Sequence, residues 1–208
     1  MIKDRQYTTR ADSVARRSAQ SAMYHIGEAL VRWIAPILSY TAEEIWENLP
    51  GEHSDSVFLE QWYEGLQPIA EDAIMGRGYW QQLMAVRDAV NKEMEAKRAA
   101  GELRGSLDAE VTLFASGELK QQLEALGDEL RFVLITSGAR VLPSSEAPES
   151  SAQTEVEGLK LAIAVSEAEK CERCWHRSAD IGEFAAHPTL CGRCVQNVDG
   201  DGEQRSFA

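Results

Sequence analysis

Four cysteines near the end of the chain form two C-x-x-C pairs, Cys171-Glu-Arg-Cys174 and Cys191-Gly-Arg-Cys194, with a spacer long enough to fold back on itself. Each C-x-x-C turn can aim two thiolates at one point, and two such turns complete the tetrahedral four-sulfur shell that zinc takes in closed sites. Such a shell leaves no position for a substrate water, so one structural Zn²⁺ held by Cys171, Cys174, Cys191 and Cys194 is expected to hold shape rather than to react. Iron in a rubredoxin-like shell is the chemical rival. A disulfide reading is weaker, because the chain has no signal peptide and no further cysteine. His176 and His187 lie nearby, but two matched pairs leave them no vacancy. A tail of about forty residues buries too little apolar surface to fold alone, so the metal supplies the missing folding free energy.

Other catalytic signatures are missing. There is no Gly-rich phosphate loop, no G-x-S-x-G and no metalloprotease helix. His25 and His53 have no partner serine or cysteine in a recognisable constellation, and His25 sits among apolar helix positions as a core or rim histidine. The residues therefore read as a binding module.

The elements that must position this tail come before it. Val14, Ala19, Ala22, Met23, Ile26, Leu30, Trp33, Ile34 and Ile37 follow the three-and-four spacing of a long amphipathic helix from Asp12 to Leu38. Asp12 or Ser13 caps its start and Pro36 kinks or ends it. Thr41-Ala-Glu-Glu44 reads as a capping box opening a shorter helix that stops at Pro50-Gly51. A further helix spans Gly78 to Ala100, with Trp80, Leu83, Met84, Val90 and Met94 inward, the pairs Asp88/Lys92 and Glu93/Lys97 on its wet face, and Gly101 as C-cap. Ala109–Phe114, Phe132–Ile135, Ala139–Leu142 and Leu159–Val165 read as strands and Glu118–Ala125 as a helix, a small α+β unit. The polar run from Pro143 reads as a mobile loop. The expected class is mainly α: a helical unit over 1–106, a small α+β unit over 107–165 and a four-cysteine finger over 166–208.

The 208 residues carry a net charge of −13, which taken as an average argues against an anionic partner. The acids concentrate in Glu43–Glu47, Glu118–Glu129 and Ser144–Glu157, while arginines recur at both ends, so a basic face can coexist with an acidic back. No apolar stretch approaches the roughly twenty residues of a membrane span, and the chain is expected to be cytoplasmic and monomeric, with no membrane partner.

Three segments carry a resemblance. Trp33-Ile-Ala-Pro-Ile-Leu-Ser-Tyr-Thr-Ala-Glu-Glu-Ile-Trp46 resembles the anticodon-binding helical domain of the class I synthetases for isoleucine, valine and leucine. Val86-Arg-Asp-Ala-Val-Asn-Lys-Glu-Met-Glu95 with Gly105-Ser-Leu-Asp-Ala-Glu-Val111 is closer to the isoleucine enzymes. Lys170-Cys-Glu-Arg-Cys-Trp-His176, Leu190-Cys-Gly-Arg-Cys194 and Arg205-Ser-Phe-Ala208 resemble the carboxyl end of bacterial isoleucyl-tRNA synthetases. The resemblance covers essentially the whole chain. It implies a carboxyl-terminal piece, beginning inside the helical domain at Met1, that grips the anticodon arm of tRNA(Ile) and works with the rest of the synthetase chain. The HIGH and KMSKS signatures and the editing domain do not occur, so ATP and Mg²⁺ belong to the parent enzyme and the piece itself is expected to be inactive. The resemblance also implies Arg173 and Trp175 as anticodon contacts, the arginine for a base edge or phosphate and the tryptophan for stacking, unless Trp175 packs over the metal turn. Lys170, Arg177, Arg193 and Arg205 are candidates for phosphate contact or for neutralising the thiolate charge, and Arg16 and Arg17 for the tRNA arm or a solvated helix face.

Two other classes stay open. A DNA-repair glycosylase with a related finger would need a catalytic amino-terminal proline where this chain starts Met1-Ile-Lys3. A zinc-stapled protein-interaction module would suit the acidic surface.

Overall fold

The computed structural model describes residues 2–70 and 73–207; Met1 and Ala208, the ends of two of the motifs above, lie outside them. A short helix α1 (Ile2–Tyr7) packs against α2 (Val14–Ile34), which begins at Ser13, whose side chain accepts from the Arg16 N–H, and ends before Pro36. Helix α3 (Ser39–Asn48) follows almost at once. It starts two residues before Thr41, with Leu38 as an N-cap lacking a side-chain bond, so the expected capping box does not form. Ser39 instead bonds back to the Ala35 carbonyl at 3.1 Å, carrying the chain from one helix directly into the next.

The apolar stripe of α2 has the expected period but not the expected burial. Val14, Met23, Ile26, Leu30, Trp33 and Ile37 are exposed, while Ala19 is buried and Ile34 partly buried as expected, and the helix otherwise buries Ala15, Glu28, Ala29 and Val31. Val31 and Ala35 pack with Ala42 and Trp46 of α3 and with Val57. Glu28 enters this core because its charge is answered on both oxygens, by Arg32 at 2.7 Å and His53 at 2.8 Å. Arg32 also reaches Glu60 at 3.0 Å and lies over the Trp46 ring at 4.7 Å. His53 is thereby a structural partner, while His25 is exposed and bonds the Tyr63 hydroxyl.

Helix α4 (Arg77–Ala99) ends at Gly101, whose φ of +76° permits the left-handed C-cap. Its inward residues Leu83, Val86, Val90 and Met94 meet a sheet rather than the preceding helices. The expected pairs within α4 do not form: Lys92 reaches Glu155 at 2.5 Å and Lys97 reaches Glu102 at 2.9 Å. The sheet runs in the order β2-β1-β4-β3, from β1 (Ala109–Ala115), β2 (Gly138–Pro143), β3 (Ala152–Gln153) and β4 (Lys160–Val165). β1 pairs parallel with β2, Val111 opposite Ala139, and antiparallel with β4, Val111 opposite Ile163. The parallel pair requires a crossover, supplied by α5 (Gly117–Glu124) and α6 (Leu130–Leu134).

α6 corrects the expected strand at Phe132–Ile135. A short continuous apolar run looks alike as a buried strand or a buried helical turn, and here Ile135 in the left-handed region at φ 59° closes the turn. The run after Pro143 is likewise more structured than expected, forming a 3-10 turn at Ser144–Glu146 and then β3, the edge strand against β4. A last helix, α7 (Gly192–Val198), belongs to the finger.

Candidate metal centre and nucleic-acid interface

The four cysteine Sγ atoms come within 4.8 Å of one another and all four residues are buried. Two different local structures deliver them. Lys170 and Arg177 pair as a β-bridge, and between them the Trp175 N–H bonds the Cys171 carbonyl at 2.9 Å, folding the first C-x-x-C into a tight knuckle. Cys191 is the N-cap of α7 and Cys194 lies in its first turn. Ile181 and Leu190 pack against the cluster and are the apolar side chains of this small core among the described residues.

The arrangement fits a bound metal on its own geometry. Metal–sulfur bonds of about 2.3 Å in a tetrahedron set sulfur–sulfur edges of roughly 3.8 Å, and Cys174 Sγ and Cys191 Sγ stand 3.7 Å apart with all four thiols free of disulfides. The thiols cannot all ionise unaided. Hydrogen bonds from Cys191 and Cys194 hold Cys174 far below the ordinary thiol range, while the same bond to Cys174 pushes Cys191 up to about 12 and Cys194 higher still. Four thiolates this close together would need a cation among them. The Cys191 N–H points to Cys171 Sγ at 3.4 Å and Arg173 Nη1 to Cys194 Sγ at 3.7 Å, donors that would share the sulfur charge.

Trp175 is the conformational outlier of the site. It has φ +67° and is 60% exposed, with Lys170 Nζ 5.2 Å from its ring centroid. A bulky residue in the left-handed region costs about 1–2 kcal/mol, so the knuckle's fold, not the side chain's preference, sets that conformation. The indole it carries stands largely in solvent.

The arginines divide by partner. Arg173 Nη1 donates to the Thr8 carbonyl at 2.6 Å and Nη2 to that of Tyr7 at 3.5 Å, docking the knuckle on the end of α1. Arg193 grips both oxygens of Asp4 at 2.9 and 3.0 Å, bonds Thr8 Oγ1 at 3.2 Å and reaches Glu203 at 3.2 Å. Arg205, its side chain 1% exposed, bonds Asp4 at 2.9 Å and lies 3.5 Å over the Phe132 ring, beside Glu129 at 4.0 Å. Burial raises the Asp4 carboxyl, but Arg193 and then Arg205 outweigh it and hold it below the ordinary carboxylate range. Arg177 pairs with Asp108 at 2.7 Å and bonds the Ala168 carbonyl, tying the finger to the sheet. Lys170 and Arg17 are exposed and Arg16 half-buried, with no ion pair among the described residues.

Asp4, Thr8, Glu129, Phe132 and Glu203 were invisible in the sequence. The one spacing signal in reach was the recurrence of arginines at both chain ends; nothing local announces that Asp4 and Arg193 meet across 189 positions. His176 and His187 are not placed among the sulfurs: His176 is buried with Nδ1 at 3.2 Å from the Cys174 carbonyl and edge-on to Phe132, and His187 bonds Asp199.

Residues 1–113 match the family described as the anticodon-binding domain of tRNA ligase, and residues 168–197 match a zinc finger found in FPG and IleRS. Along its full length the chain is 58% identical to the isoleucine–tRNA ligase of Pseudomonas aeruginosa (strain UCBPP-PA14) and to that of Alcanivorax borkumensis, and 56% identical to that of Shewanella amazonensis. It spans 22% of the length of each of these relatives. Among the described residues no helix is long and apolar enough to cross a membrane.

Proposed function

Because the chain belongs to the family of anticodon-binding domains of tRNA ligases, we propose that it is the part of an isoleucine–tRNA ligase that grips the anticodon arm of tRNA(Ile). The observation that carries this reading is Trp175, an exposed indole held in a strained backbone conformation on a cysteine-fixed turn, with Lys170 against its ring. Unpaired bases are recognised by stacking on aromatic and guanidinium planes, with cations near the phosphates. Cys171, Cys174, Cys191 and Cys194 would hold one structural Zn²⁺, which supplies charge neutralisation and a covalent-like cross-link when bound. Trp175 stacks on a base and Lys170 meets the backbone beside it. Arg173 keeps its docking bonds to α1 and presents the remaining guanidinium edge. Arg16 and Arg17 face the arm, while Arg177, Arg193 and Arg205 hold the finger in place and contribute charge. Joining isoleucine to the tRNA, with ATP and Mg²⁺, falls to a catalytic domain elsewhere in the ligase, acting in the cytoplasm as a monomer.

The test is a titration of the zinc-loaded chain with an isoleucine tRNA transcript and with the same transcript carrying a changed anticodon, at low and moderate salt. Tighter binding of the cognate anticodon is expected at both, with affinity falling as salt rises because phosphate contacts contribute. Equal affinity for the two transcripts would sink the anticodon reading. Binding to a protein partner that persists after RNase treatment would replace it with a protein-docking module.

A further inference from the structure

We propose that Tyr7 is a second stacking residue for unpaired RNA bases, forming with Trp175 a two-walled site across the seam between α1 and the knuckle; this rests on the tRNA-binding reading above. Tyr7 is the last residue of α1 and is 73% exposed, and no hydrogen bond of its hydroxyl is present among the described residues. It is nevertheless not on a loose end. The Arg173 guanidinium that springs from the knuckle, two residues from Trp175, bonds the Tyr7 and Thr8 carbonyls. From the other cysteine pair, Arg193 bonds Asp4 and Thr8 Oγ1. Thr8 and Thr9 are buried and their hydroxyls turn back to the Asp4 and Arg5 carbonyls, closing the helix end. The finger therefore fixes the backbone under Tyr7 from two sides while its ring stays in water.

Exposed aromatic rings are common singly and need no explanation. Here two of them are tied to one arginine: Arg173, two residues from Trp175, bonds the carbonyl of Tyr7, and the four cysteines and a buried ion-pair cluster hold the backbone on both sides of that link. Rings presented in that way lose little conformational freedom on binding, and every base has a face to offer them. Cations suited to the phosphates lie on both walls, Lys3 on α1 and Lys170 on the knuckle, exposed and with no ion pair among the described residues. The acids of the seam, Asp4 and Glu203, are occupied by Arg193 and Arg205.

The experiment compares the zinc-loaded chain with Tyr7→Ala and Tyr7→Phe, binding an isoleucine tRNA transcript and a set of transcripts in which each unpaired anticodon-loop base in turn is abasic. Tyr7→Ala is expected to weaken binding of the intact transcript about five- to a hundredfold, Tyr7→Phe to retain it, and zinc content to stay constant. On one abasic transcript the parent chain and Tyr7→Ala should bind equally, a pairwise dependence that a general loss of structure would not produce. Binding of Tyr7→Ala within twofold of the parent, or the same loss on every abasic transcript, would overturn the proposal while leaving the tRNA reading intact if Trp175→Ala still weakens binding. A parent chain that binds no transcript would remove both.

Discussion

Trp175 sets function against stability at one residue. Glycine adopts φ near +67° without steric cost, and tryptophan does not. Trp175→Gly is therefore expected to leave the thermal midpoint unchanged or a few degrees higher, even after allowing for the entropy glycine adds to the unfolded chain. The same substitution should weaken tRNA binding. A fall in both midpoint and zinc content would show the indole to be a packing element. The cysteines themselves were legible in the sequence because their grammar is local: two thiols three positions apart already imply a shared point. The left-handed conformation of Trp175 was not, since its φ angle is imposed by the Lys170–Arg177 bridge. The roles of Arg193 and Arg205 were hidden for a related reason, because an arginine looks the same whether it faces phosphate or a buried carboxylate.

For whole elements, periodicity identified the helices well and their buried faces poorly. α2 and α4 show the same three-and-four spacing, yet α4 buries its stripe in the sheet while most of the stripe of α2 stays open. The spacing says that a face is apolar, not what covers it. Leu83→Ala on α4, at 3% exposure, should cost about 2–5 kcal/mol in a denaturant titration. Leu30→Ala on α2, at 48% exposure, should cost under about 1 kcal/mol. Equal costs would mean that the stripe of α2 is covered in solution. The short run at Phe132 failed differently: four apolar residues contain no period to read, and only the turn before it and the left-handed Ile135 after it decide for helix. The buried side of α2 carries its own pH signature. Burial raises the Glu28 carboxyl, but bonds from His53 and Arg32 outweigh that and leave it below its ordinary 4.5. A lowered carboxylate stabilises the fold above its unfolded pKa and loses that contribution as pH falls through the folded one. The midpoint gap between the parent and Glu28→Gln should accordingly be full near neutrality and shrink below about pH 4.5. A gap independent of pH would deny that the charge is what His53 and Arg32 answer.

Across the molecule, the finger is joined to the rest by charge rather than by apolar area. Its own core is four cysteines with Ile181 and Leu190, while its seam to α1 and α6 is built from Asp4, Glu203 and Glu129 against Arg193 and Arg205 over the Phe132 ring. Buried pairs of this kind add little net stability compared with apolar packing, yet removing one partner leaves the other charged and desolvated. Asp4 is shared by both arginines, so Asp4→Ala is the most disruptive single change: it should cost about 3 kcal/mol of unfolding free energy. The metal ligands are untouched, so zinc content should be unchanged after dialysis. With the seam loosened, Tyr7 and Trp175 no longer hold one geometry, and tRNA affinity should fall even in conditions where the chain is fully folded. Chelation of the zinc should act in reverse order, releasing Cys171 to Cys194 first and the seam after them, so proteolytic cuts should begin inside the finger for the chelated chain and between α1 and α2 for Asp4→Ala. A single cutting pattern for both would mean that finger and seam unfold as one unit, and that the ion pairs do not set the finger's orientation on their own.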